Sequence, residues 1–224
     1  MPRRKKNDSP LVLDLTSLIG RLTLLVLLLA LFSLYFSLNH NWGPVHILET
    51  PLDGYIPLVS AMVIPYVLFF FSWGSLLIIY TLIFKPVIFI RIVASFVIGC
   101  LIAYILYIIF QTTVPRPIIE PTNIFTQILD WLYSTDHRFN AFPSGHTLST
   151  TILFFSTIPL VRNPWKIFFA LIALSIIAST LLLKQHFVPD IFAGLLIGWV
   201  SWKYGQKLAR RFYSSKKPAI NIIT

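Results

Sequence analysis

Long apolar runs, broken by short polar segments, follow one another along most of the chain. A membrane-spanning helix needs roughly 20 mostly apolar residues, and six runs approach or exceed that length. They lie at about 17–38, 56–83, 87–110, 146–162, 166–184 and 190–208. The pattern predicts an all-α fold, an integral membrane bundle of six transmembrane helices that forms a single membrane domain over residues 1–224. The first run is longer than a signal-peptide core and lacks a clear small-residue exit, so we expect an uncleaved helix.

Composition agrees with a membrane protein. Of the 224 residues, 56% are hydrophobic and 12% are charged, whereas a soluble domain is about half apolar and about a quarter charged. The single cysteine, Cys100, excludes an internal disulfide and is too little for a cysteine metal site.

The net charge of +10 is typical of a nucleic-acid-binding protein, but the positions of the basic residues along the chain favour another explanation. With six helices most of them fall on one side of the membrane, which the positive-inside rule identifies as cytoplasmic. They are Arg3, Arg4, Lys5, Lys6, Lys85, Arg91, Arg162, Lys166, Lys203, Lys207, Arg210, Arg211, Lys216 and Lys217. We therefore expect cytoplasmic basic ends at 1–16 and 209–224 that contact anionic lipid, and no nucleic-acid partner.

A long loop at about 111–145 connects the third and fourth predicted helices on the opposite, outer side. It opens with QTTVPRPIIEP, whose prolines prevent a regular helix interior. In the following NIFTQILDWLY, five apolar side chains fall on one helical face, namely Ile124, Phe125, Ile128, Leu129 and Leu132. This pattern predicts a short helix, either lying in the membrane interface or acting as a lid that closes the bundle.

Three polar clusters at the ends of different helices are placed at the same membrane depth on this outer side. They are Arg116-Pro117, the stretch PSGH at 143–146, and KQHFVPD at 184–190. Ser144 and Gly145 begin a predicted helix, whose free N–H groups and positive dipole end favour an anion. Arg116 offers a planar fork for two phosphate oxygens and Lys184 a point charge. The sequence therefore predicts a phosphate-binding site here.

Two histidines complete the candidate chemistry. His186 and Asp190 are four residues apart, so the carboxylate can orient the imidazole while its other nitrogen attacks. His146 is then the candidate proton donor to the leaving group. Histidines also bind metal, but no HxxxH pair and no carboxylate cluster of metal-site spacing occurs. We expect no metal and no other cofactor.

These residues, in this order, resemble the type 2 phosphatidic acid phosphatase superfamily, the lipid phosphate phosphatases, with its motifs KxxxxxxRP, PSGH and SRxxxxxHxxxD. The second motif is complete, and the resemblance is close over 109–194. The first motif has Ile109 in place of its lysine, and the third has Thr180 in place of its arginine. The resemblance implies that His186 forms a phosphohistidine, oriented by Asp190. It also implies that His146 protonates the leaving oxygen and that Arg116, Ser144 and Gly145 bind phosphate without metal.

The family implies a lipid phosphate or diphosphate phosphatase. The distribution of basic residues predicts cytoplasmic termini and a site at the outer leaflet. Its known substrates suggest phosphatidic acid, phosphatidylglycerophosphate or undecaprenyl diphosphate, and the short basic ends fit a bacterial inner membrane. The two missing cations leave open a lipid phosphotransferase or a non-catalytic, degenerate member. We hypothesise that Lys184 replaces the positive charge missing at Ile109 or Thr180.

Overall fold

The computed structural model describes residues 14–214, with side chains through residue 211. Most of the predicted basic ends, 1–16 and 209–224, therefore lies outside the described residues. Eight α-helices follow one another and no β-strand occurs in this part of the chain, so the predicted all-α class is confirmed. The helices are α1 (Leu18–Leu38), α2 (Pro51–Tyr55), α3 (Val63–Leu82), α4 (Pro86–Ile109), α5 (Ile124–Thr135), α6 (Gly145–Thr157), α7 (Asn163–Leu182) and α8 (Val188–Ser214).

Four segments of the described chain are long and apolar enough to cross a membrane: α1, α3 with its preceding 3-10 turn, α4 and α7. The other two predicted spans, 146–162 and 190–208, correspond to α6 and α8. With 13 residues, α6 is only about 20 Å long, and the second half of α8 carries several basic side chains. The molecule is thus an integral membrane protein by helix length and composition, and the count of six spans stays a prediction.

Small residues place α8 against its two main neighbours. Cβ atoms added at Gly194 and Gly198 would lie 2.8 Å from Ser144 O and 2.7 Å from Thr151 Cβ of α6. One added at Gly205 would lie 2.2 Å from a side-chain oxygen of α4. Only glycine permits such close backbone approach. As a result, α8 is held tightly beside the helix that begins with the PSGH turn.

The predicted short helix in the outer loop is present as α5. Asn123 caps it, accepting hydrogen bonds from the N–H groups of Phe125 and Thr126. Its buried Leu129 and Leu132 pack with residues of α3 and with Leu183 after α7. Helix α5 therefore covers the end of the bundle where α3 begins and α7 ends, and its position relative to the membrane interface stays a prediction.

Candidate active site

The PSGH turn is held from two other helices. Ser144 caps α6, its hydroxyl accepting from the N–H of Thr147 at 3.3 Å. Its own N–H donates to the carbonyl of Asp190 on α8 at 3.1 Å, and the hydroxyl of Tyr107 on α4 donates to Pro143 O at 2.8 Å. The first N–H groups of α6, beginning at Gly145, lack intrahelical partners, as at every helix start. The turn thus presents donors and the positive end of the helix dipole.

His186 and Asp190 meet across the start of α8, from the loop before the helix to its first turn. Nδ1 of His186 lies 3.4 Å from Oδ2 of Asp190, and both side chains are buried. The same Oδ2 accepts a hydrogen bond from the N–H of Phe187 at 2.8 Å, which fixes the carboxylate. With Nδ1 facing the carboxylate, Nε2 is the nitrogen available for attack.

His146 faces His186 from the first turn of α6. Their ring centroids are 6.3 Å apart. The His146 ring packs among aromatic rings of α3, with Tyr66 at 4.5 Å and Phe69 at 4.6 Å between centroids. Its Nε2 is buried and has no hydrogen-bond partner among the described residues. The two histidines therefore lie side by side, close enough for both to contact one small group.

Arg116 is held by oxygens of its own protein. Its guanidinium donates to Tyr133 O at 3.1 Å and to Asp136 O at the C-terminal end of α5, where free carbonyls favour a cation. It also donates to the side-chain oxygen of Gln185. Its Nε is buried without a partner among the described residues. One edge of the guanidinium thus positions the residue, while Nε–H is left for a ligand.

Lys184 lies in the loop after α7 with a left-handed backbone (φ 50°). Its ammonium donates to the carbonyls of Asp53 and Ile56 at the end of α2. Asp53 in turn accepts the N–H of Val188 at 2.8 Å, joining this loop to the first residue of α8. The ammonium is therefore partnered beside the histidine loop and does not point freely into the space between the histidines.

The two substituted motif positions differ in their surroundings. Ile109 is 72% exposed at the end of α4. Thr180 is fully buried, and its carbonyl accepts the N–H groups of Gln185 and His186 at 2.9 and 3.1 Å. The threonine therefore helps to shape the loop that carries the histidine, whereas the isoleucine lies at the periphery.

Three contributing residues are missed by the sequence patterns. Gln185 is buried beside Arg116, with its Nε2 unpartnered among the described residues. Asp136 accepts hydrogen bonds from Asn39 at 2.9 Å and from Tyr66, whose ring packs on His146, at 3.3 Å. Adjacency to His186 singles out Gln185 in the sequence. No local pattern signals that Asp136 and Tyr66 meet.

Unpartnered polar atoms converge on this region. Buried atoms that lack a described partner include Arg116 Nε, His146 Nε2 and Gln185 Nε2, whereas His186 Nδ1 faces Asp190 Oδ2. A buried polar atom without a partner costs about 1–3 kcal/mol, so such a concentration is typical of a site whose ligand supplies the partners. Most of these atoms are donors or can become donors, which favours an oxyanion. No group of three His, Cys, Asp or Glu side chains among the described residues is arranged to hold a metal ion.

Comparison with known proteins concerns the family and the fold. Residues 112–212 match the family model described as the PAP2 superfamily. The chain is also similar to the crystal structure of Aquifex aeolicus LpxE, with a TM-score of 0.52 and 19% sequence identity, covering 79% of this chain and 94% of that one. At that identity the likeness concerns the fold. A search of the curated proteins finds no match.

Proposed function

We propose that this chain, whose residues 112–212 match the PAP2 superfamily model, is a lipid phosphate or diphosphate phosphatase that works through a phosphohistidine. The observation that carries the proposal is the histidine pair. Two imidazoles face each other at 6.3 Å between ring centroids, and a buried carboxylate backs one of them. Near-attack and hydrogen-bond distances are each about 3 Å, so one phosphate bound beside the pair would reach a nitrogen of each ring.

In the first step Nε2 of His186 attacks phosphorus and forms a P–N bond. The bond from phosphorus to the lipid oxygen breaks, and His146 donates a proton to that oxygen. Asp190, 3.4 Å from Nδ1, supports the positive charge on the attacking ring. In the second step water attacks phosphorus while His146 takes its proton, so inorganic phosphate leaves and His186 is regenerated. No cofactor takes part in this scheme.

Positive groups around the pair would stabilise the charge that develops on phosphate oxygens. We assign Gly145 to donation through its N–H at the helix start, Ser144 to donation through its hydroxyl, since its N–H is bonded to Asp190 O, and Arg116 to donation through its free Nε–H. Lys184 would act as a nearby fixed charge, since its ammonium is already bonded to two carbonyls. Its loop continues directly into His186, which supports a compensating role for the charges absent at Ile109 and Thr180.

An apolar groove beside the site supports a lipid substrate. Its volume is about 680 Å³, and it runs between α2 and the first turns of α8. Its wall includes Pro51, Leu52, Phe142, Val188 and Phe192. Phe142 directly precedes the PSGH turn, and Val188 lies between His186 and Asp190. An acyl or prenyl chain lying in this groove would place its phosphate at the histidines.

The orientation we propose has six spans, with α6 and α8 as the fourth and sixth. Basic residues at the end of α8 then lie in the cytoplasm near anionic lipid, and the histidine pair faces the outer leaflet. A bacterial inner membrane suits this arrangement. Phosphatidic acid, phosphatidylglycerophosphate and undecaprenyl diphosphate are the substrates to compare.

Purified protein in detergent, incubated with these lipids and a chelator, tests the proposal by release of inorganic phosphate. His186→Ala and His146→Ala should each lower the rate by about 10³-fold or more. His40→Ala is the matched control, since His40 is an exposed outer-side histidine away from the pair. Radiolabel from the lipid phosphate should appear on the wild-type protein and not on His186→Ala.

A lipid phosphotransferase is the alternative that the altered motifs favour. A phosphotransferase predicts that radiolabel moves from the substrate to a second lipid and that this transfer requires His186. Little free phosphate should be released. If neither release nor transfer occurs for any lipid in the panel while the protein remains folded, the catalytic proposal is wrong and the chain is a degenerate member.

A further inference from the structure

A second cavity lies at the opposite end of the bundle, enclosed by the first turns of α4, the end of α6 and the second half of α8. Its volume is about 80 Å³. Along α4, Arg91 at this cavity is 16 residues from Tyr107 at the PSGH turn, which is about 24 Å of helix. The cavity is therefore separate from the histidine site.

Three hydrogen-bonding atoms of its lining are buried and have no partner among the described residues. They are Arg91 Nε, Ser156 Oγ and Trp202 Nε1. Ser156 as a whole is only 8% exposed. The nitrogens of arginine and tryptophan side chains can only donate hydrogen bonds, so together they require an acceptor. A hydroxyl supplies a third donor.

The electrostatics favour an anionic acceptor. None of the lining residues is acidic. Arg210 of α8 lies near enough for its positive charge to act on Arg91. Phe155 packs its ring at 5.2 Å from that of Trp202, which forms an apolar wall beside the donors. Arginine with neutral donors and no carboxylate is the donor set that proteins use for phosphate oxygens.

We propose that this cavity binds one phosphate group through Arg91, Ser156 and Trp202. The volume of about 80 Å³ is several times the space needed for one water, and it suits a phosphate rather than an acyl chain. The phosphate belongs either to the headgroup of an anionic phospholipid at this end of the bundle or to free inorganic phosphate. The site holds its ligand without turnover, because its lining has no histidine or carboxylate to activate the Ser156 hydroxyl.

Lipid binding to the delipidated full-length chain tests this by native mass spectrometry in detergent. The probes are phosphatidylglycerol and a diacylglycerol with the same chains. Wild type should retain one phosphatidylglycerol in preference to diacylglycerol, and Arg91→Met and Trp202→Phe should weaken that binding about tenfold. Arg162→Met is the matched control, since it removes an exposed arginine that does not line the cavity. Ser156→Ala should weaken binding by a smaller factor and serves if Trp202→Phe folds poorly.

Calorimetric titration with inorganic phosphate forms the second arm. Phosphate binding at the histidine site persists in all these variants. Only the binding heat that is lost in Arg91→Met and Ser156→Ala therefore reports on the second cavity. Loss of lipid retention in the variants identifies the headgroup as the source, and loss confined to the titration identifies free phosphate. If folded Arg91→Met and Ser156→Ala equal Arg162→Met in both arms, the proposal is overturned and the cavity holds water only.

Discussion

Gly198 lies outside the candidate active site, yet one methyl group added there should disturb that site. An alanine Cβ there would lie 2.7 Å from Thr151 Cβ and 2.8 Å from Leu148 O on α6. Carbon atoms in contact prefer about 3.5–4.0 Å, so α6 and α8 must separate by about 1 Å locally. Overpacking of this kind costs about 1–3 kcal/mol.

The displacement reaches the candidate active site because the two helices carry opposite parts of it. His146 lies in the first turn of α6, and Asp190 lies eight residues before Gly198 on α8, about 12 Å along the axis. The intervening Gly194 packs equally closely on α6 and transmits the shift. Since a misplacement of about 1 Å can cost about 100-fold in rate, we expect Gly198→Ala to lower kcat by about 10- to 100-fold.

Thermal unfolding in detergent and phosphate release from the best lipid substrate measure the two effects separately. Gly74→Ala on α3 is the matched control, because a Cβ there meets nothing within 4 Å. It should leave activity unchanged and stability equal or slightly higher, since alanine is the better helix former. If Gly198→Ala matches Gly74→Ala in both measurements, α6 and α8 are not packed as closely as described, or the site tolerates their separation.

Three further predictions concern single side chains. Tyr66→Phe keeps the ring on His146 but loses the hydrogen bond to Asp136, so kcat should fall by about 2- to 10-fold with little change in KM. Lys184→Met should raise KM for the lipid phosphate and Lys184→Arg should restore it, whereas unchanged kinetics in Lys184→Met would remove its proposed compensating role. Tyr133 donates its hydroxyl to Leu183 O, and burial raises its pKa to about 12 from 10.0. The neutral form of Tyr133 therefore stabilises the fold below pH 10, and this contribution is lost as the pH rises through about 12. Thermal unfolding should show the loss of stability in wild type and not in Tyr133→Phe.

The sequence by itself determined the helical class and indicated a family resemblance. Apolar runs of membrane length identify helices through local hydrophobicity alone, and the amphipathic pattern at 124–132 locates α5 because helical periodicity is also local. PSGH with the downstream His186 and Asp190 indicates phosphate chemistry. The spacings within these motifs are short, so they can be recognised without knowing how the helices pack. The lengths of α6 and α8, by contrast, depend on the turns and caps that end each helix, and local hydrophobicity does not give them.

Only the tertiary structure decided which hydrogen-bond acceptors each cation meets. The sequence predicts that Arg116 and Lys184 are both free to bind phosphate. In the fold Arg116 donates to carbonyls at the end of α5, and Lys184 donates to Asp53 O, 131 residues away. Asp136 and Tyr66, 70 residues apart, meet beside His146 in the same way. Such contacts depend on how α3, α5 and α7 pack, and unpaired helix-end carbonyls attract cations wherever packing brings the two together.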